Sequence, residues 1–328
     1  MSDAQSRLIE RGDLDELARH AERLMAAEEW EELHELRQRC RAALDRGKQL
    51  WPIASRVEYL LALRAPAAWA APVVVEGAGL FAPGPLAEVV ASTHIWSELA
   101  PHLTPGPLAA VVLHERVIRG EDLRAASAAA GLEPYLDLPA VLQTWEPAYP
   151  LATYTEEGVT VPEPQHPRLD ALTLGRGPEP VDDPVATDAL REIVKPWVTD
   201  SNGRVEAVAV EGTALEAVAT IAADPAWGVP LEGATALAYM AWTGASGGAH
   251  GRRRGAATGR LNAWWAVAAL GGMDDTWPVQ PVELAATLDG LIWWRWEPRR
   301  ARVGWRFHLA TEDPRDGMAW AVAAHDRR

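Results

Sequence analysis

Eight prolines fall between Pro147 and Pro184, and no other feature limits the fold as strongly. Proline has no backbone N–H and a fixed φ, so neither a continuous helix nor a central strand runs through such a stretch. Apolar periodicity also disappears across residues 146–184. The stretch therefore reads as an extended linker or wrapping arm. It divides the chain into an expected helical domain at 1–150, a linker at 151–183 and an expected α+β domain at 184–328.

Upstream of the prolines the apolar period is that of a helix. Leu14, Leu17, Ala21 and Leu24 lie on one helical face, and Trp30, Leu33, Leu36, Cys40 and Leu44 continue the spacing in a second run. Gly47 stops that run. Pro52 opens a third, carrying Ile53, Val57, Leu60 and Leu61, because proline is tolerated in a first turn. Helices of this length joined by short turns predict stacked antiparallel hairpins. The spacing resembles that of tetratricopeptide-type solenoids in shape only, since the Gly/Tyr/Pro consensus of those repeats is missing. Further on, Pro83, Pro85, Pro101, Pro105 and Pro107 punctuate short helices expected over 86–91, 93–100, 108–119 and 139–144.

Downstream the period changes. Residues 205–210 are Val- and Ala-rich and predict a strand. Thr213 and Glu216 form a capping-box pattern that opens a helix over 214–222. Helices are expected at 234–243 and 256–270. Strands are expected at 291–297 and 302–310 around a Pro298-Arg299-Arg300-Ala301 turn. In the second strand Val303, Trp305, Phe307 and Leu309 alternate with Arg302, Gly304, Arg306 and His308. A last helix is expected over 316–324. The class is α+β, mostly α: a solenoid-like helical N-terminal part followed by a small α+β part with a Trp/Arg-rich hairpin.

Composition narrows the function classes. The net charge is −15, yet residues 241–328 hold 12 arginines and 9 acidic residues. An acidic body disfavours non-specific nucleic-acid binding, while a mildly basic tail attracts an anion locally. Lys48 and Lys195 are the only lysines among 31 basic residues, the mark of a GC-rich bacterial genome. Cys40 stands alone, so no intramolecular disulfide forms, as suits a reducing compartment. No leader pattern is seen at Met1–Gln5, and no apolar run approaches the roughly 20 residues a bilayer requires. A cytoplasmic protein with no membrane partner is expected.

Three segments carry candidate chemistry. The first is the Gly/Arg-rich run 244–260, which leads into a helix. Gly247, Gly248, Gly251, Arg252, Arg253, Arg254 and Arg260 form a candidate anion site, with His250 the weak candidate for a general acid–base. The structural alternative is a loop whose arginines pair with the chain's own acids. The run lacks the Gly-Lys-Ser/Thr ending of a P-loop. Gly244-Ala245-Ser246-Gly247-Gly248 matches a nucleophile elbow, with Asp289 or Asp313 and His308 or His325 as partners on paper. An elbow needs a preceding strand, and residues 234–243 read as helix. The second segment, His94, Glu98 and His102 with His114 and Glu115 beyond, has metal-ligand spacing but is broken by Pro101, and no metal is assigned. The third is the Trp/Arg hairpin, where Trp293, Arg295, Arg302, Arg306 and His308 form a possible contact surface for bases and phosphates; the structural alternative there is core tryptophan with stacked arginine. No cofactor is assigned.

The reading that joins these features is a binding or scaffold protein. A helical surface meets a protein partner, and the Gly/Arg loop holds an anionic small molecule. One alternative is an enzyme acting on a phosphorylated or carboxylated small molecule, with Asp274 or Asp275 converging on His250. Another is a single-stranded nucleic-acid binder working through the hairpin.

Overall fold

The computed structural model describes residues 3–130, 136–222, 225–299 and 303–327. The chain forms two compact units. The first comprises Met1–Tyr135 and Ala152–Thr160, the second Leu136–Leu151 and Val161–Arg328. The fold is α+β and mostly α, with an antiparallel sheet in the C-terminal part. Among the described residues no helix is long and apolar enough to cross a membrane.

The first unit is built from α1 (Asp3–Arg11), α2 (Leu14–Ala26), α3 (Trp30–Ala42), α4 (Trp51–Arg64), α5 (Ala67–Ala70), α6 (Leu86–Thr93), α7 (Trp96–Leu99), α8 (Pro107–Ile118) and α9 (Arg124–Ala130). A short hairpin, β1 (Thr153–Thr155) and β2 (Gly158–Thr160), completes it. Asp13 caps α2 by accepting from the Glu16 N–H. Leu17, Leu33, Leu36, Leu60 and Leu61 are fully buried, which is the fate the helical spacing assigned them. Glu58 on α4 is also buried, but paired: it accepts from Arg37, Arg41 and the Gly79 N–H. The helix expected over 93–100 shrinks to α7, because His94 takes extended backbone, φ −131° and ψ 152°.

The second unit contains β3 (Asp170–Ala171), α10 (Pro184–Ile193), α11 (Lys195–Thr199), β4 (Arg204–Glu211), α12 (Ala214–Ile221), β5 (Ala226–Leu231), α13 (Gly233–Ala245), α14 (Ala256–Leu270), α15 (Pro281–Gly290), β6 (Ile292–Pro298), β7 (Trp305–Asp313) and β8 (Met318–Asp326). The sheet runs β3-β5-β6-β7-β8-β4, antiparallel throughout. Thr213 and Glu216 form the expected capping box at α12. That helix packs Ala214, Ala217 and Val218 on Ala310, Ala319 and Ala321 of one sheet face. On the other face Tyr239 and Trp242 of α13 meet Phe307 and Trp305 of β7.

Three expectations fail for identifiable reasons. Residues 316–324 do not form a closing helix: Met318–Asp326 is β8, paired along its length with β4 and β7. Its alanines suit a helix in isolation, but here their small side chains let α12 sit close to the sheet, so tertiary pairing overrides propensity. Residues 139–144 form no helix. Their carbonyls turn inward instead, with Pro139 and Val141 accepting from Arg260. The second hairpin strand begins at Trp305, and Arg302 lies outside the described residues. Both α10 and β5 arise where no element was expected.

Candidate functional site

The Gly/Arg run is ordered by the chain's own groups. It follows α13, a helix, so the strand an elbow requires is absent before Ser246. Ser246 is buried; its hydroxyl donates to the Thr243 carbonyl and accepts from the Trp197 indole. Gly247 is buried where its backbone crosses that of Gly251 and Arg252, leaving no room for a Cβ. Gly248 has φ +74°, and a Cβ there meets the Asp326 carboxylate. That carboxylate accepts from the Ala249 N–H at 2.6 Å. The glycines are therefore explained by close backbone approach and a left-handed turn.

The charged members of the run differ in burial. His250 is exposed, and its backbone N–H donates to the Ser201 hydroxyl. Arg252 is exposed, and Arg253 and Arg254 are half-buried. Burial lowers the pKa of Arg254, against the opposing pull of Glu192 and Asp200. His250 precedes the first turn of α14 and Asp274 follows its last, so the helix, 15 residues and about 22 Å long, separates them. Arg260 already has an anion. Its Nε and Nη2 donate to the two oxygens of Glu146 at 2.7 Å each, with both side chains fully buried. Trp264 and Tyr149 also donate to Glu146, and the Arg260 guanidinium lies over the Trp264 ring. Burial and the neighbouring Glu146 charge together raise the Tyr149 pKa well above the ordinary range.

The His/Glu spacing dissolves in the same way. Glu98 turns back to cap α7 at the Ile95 N–H, and no group of three or more potential ligands forms among the described residues.

The hairpin borders a cleft, although with members other than those expected. Residues opposite one another in an antiparallel pair share a face. Trp293 faces Thr311 and Arg295 faces Leu309, so Arg306 and His308 start from the other side of the sheet, contrary to the expected shared face. Trp293 is core, its indole donating to the Leu288 carbonyl. His308 is core as well, packed on Trp296 at 4.8 Å. Burial pushes its pKa down to about 3, helped by the charges of Arg306, His325 and Arg295. Arg295 and Arg306 nevertheless meet. Glu297 accepts from Arg295 with one oxygen at 3.3 Å and from Arg306 with the other at 3.1 Å.

These two arginines line a cleft of about 340 Å³ with Glu163, Trp242, Val303, Gly304 and Trp305. Trp242 and Trp305 are stacked, 5.2 Å apart at 28°. Tyr239 continues the stack behind Trp242, and the Arg295 guanidinium lies 4.7 Å over its ring. Burial pushes Tyr239 up to about 12. Arg295 is itself buried, and Nη2 donates to Glu163 at 3.0 Å. Its Nε is buried without a hydrogen-bond partner among the described residues. Sequence reasoning found Arg295 and Arg306 by composition. It missed Trp242, hidden in an apolar helix, and Glu163, hidden in the proline-rich stretch. The only available signal was the clean alternation that put Trp305 opposite the arginine side of β7.

No curated protein and no solved structure matches the chain. A family model does match residues 15–328, and on that coverage the chain belongs to DUF6183, a family of unknown function.

Proposed function

We propose that the protein is a ligand-binding protein and that the Trp/Arg cleft of the second unit is its site. The ligand class is a small molecule with a flat ring and an anionic group. The carrying observation is the buried Arg295, which lines a cleft together with the stacked Trp242 and Trp305 and whose Nε has no hydrogen-bond partner among the described residues. An unpaired buried donor is costly, and a ligand oxygen removes that cost. The indole faces supply apolar area and stacking, and Arg306 supplies a second positive charge at the rim. The volume lies at the small end of the range for ligand pockets, about 300–1,000 Å³. This reading keeps the anionic ligand expected from the sequence but moves its site from the Gly/Arg loop to the cleft.

The test is titration of intrinsic tryptophan fluorescence with benzoate, phenyl phosphate and the neutral control benzyl alcohol. The anions are expected to bind and the alcohol to bind far more weakly. Arg306→Ala should weaken the anions by about tenfold or more, the loss of one charge-assisted hydrogen bond. Replacing Arg252, Arg253 and Arg254 together by alanine should leave binding unchanged. Failure of every ring anion to bind would sink the reading. Binding of a short oligo(dT), with affinity falling steeply as salt rises, would favour the single-stranded nucleic-acid alternative instead.

A further inference from the structure

We infer that the Nε/Nη2 edge of Arg295 is a carboxylate subsite and that Glu163 is an internal stand-in for the ligand's carboxylate, displaced when ligand binds. This rests on the reading of the cleft as a ligand site and specifies its chemistry.

The argument begins with guanidinium geometry. The N–H bonds of Nε and Nη2 point the same way, so one edge of an arginine matches the two oxygens of a carboxylate. The same unit shows this edge in use: Arg260 holds Glu146 with both donors at 2.7 Å. At Arg295 only half of the match is made. Glu163 accepts from Nη2 at 3.0 Å, and Nε is left buried and unpaired among the described residues. A carboxylate attached to the chain has settled for one donor where an untethered one takes two.

The attachment explains the shortfall. Glu163 sits between Pro162 and Pro164, with Pro167 beyond. Prolines restrict their neighbours to extended backbone and donate nothing themselves. Residues 161–169 have no regular structure, and no backbone hydrogen bond to another described residue holds them. The segment is therefore held by side chains, and its contact with Arg295 is lopsided. The Glu163 side chain is 49 % exposed, that of Arg295 only 6 %. Water competes for the glutamate, so its departure is cheap. Arg295 is not stranded when it leaves, because Glu297 and the Tyr239 ring remain beside it. An aryl carboxylate then takes both donors while its ring reaches Trp242 and Trp305, the walls of the same cleft.

The experiment compares wild type with Glu163→Gln, Glu163→Ala and the double variant Glu163→Gln/Arg295→Lys. Benzoate should bind Glu163→Gln about tenfold more tightly than wild type, equivalent to ~1.4 kcal/mol. The double variant should lose that gain, because an ammonium has no fork. Glu163→Ala should be stabilised against heat by sodium formate more than by the same concentration of sodium chloride, and wild type should not. If wild type binds benzoate but Glu163→Gln binds it equally or less tightly, and formate leaves Glu163→Ala unchanged, the stand-in is overturned and the cleft reading survives. If no variant binds benzoate and formate has no effect, both fall together.

Discussion

Arg260 and Arg295 each face a glutamate of their own unit, and the two pairs differ in what is left over. At Arg260 nothing is: both side chains are fully buried, the carboxylate takes the whole guanidinium edge, Trp264 and Tyr149 donate to its Oε2 and the Gln143 backbone N–H to its Oε1. At Arg295 the partner is half-exposed, one donor is vacant, and a cleft opens alongside. A satisfied buried pair is structure. An unsatisfied one beside a cavity is a place for something else. The arginines are alike in sequence, so the difference lies in the second partners the fold brings to each.

The largest effect should come from breaking the satisfied pair. Glu146→Gln leaves Arg260 charged, buried and uncompensated, and should lower stability by about 3–5 kcal/mol, read from urea unfolding followed by tryptophan fluorescence. A loss of less than about 1 kcal/mol, the range of exposed pairs, would erase the contrast with Arg295.

The next effect concerns the core behind the cleft. The folded pKa of His308 is depressed from 6.5 to about 3. The unfolded ring gains a proton below about pH 6.5, whereas the folded ring stays neutral until near 3. The unfolded state thus binds more protons in that window, and stability falls as pH drops through it, by up to about 1.4 kcal/mol per unit. His308→Phe should flatten this part of the stability–pH profile measured by thermal unfolding between pH 7 and 4. An unchanged slope would assign the acid sensitivity to other groups.

The smallest stability effect belongs to the unsatisfied pair. Glu163→Gln should change unfolding free energy by less than about 1 kcal/mol, since its carboxylate is half in water, even as it sharpens benzoate binding. A loss as large as that of Glu146→Gln would show that Glu163 is a structural partner after all, which would remove the distinction between the two arginines.

Much of this was legible in the chain. The buried faces of α2, α3 and α4, the Thr213–Glu216 capping box, α14 and the alternation of β7 follow from period and capping, which are local properties. The arginines of the cleft were legible as a cluster. What local pattern could not supply was partnership. Whether residues 318–326 become helix or strand depends on β4 and β7 lying on either side of them. Whether Arg260 is a ligand site depends on Glu146, which is 114 residues away in the chain, and whether Arg295 is one depends on Glu163, 132 residues away. By itself the sequence determined the buried faces of α2, α3 and α4 and the capped start of α12. The tertiary structure alone decided which charges meet, because a buried charge is stable only with a partner at contact distance, and that distance is set by the whole fold.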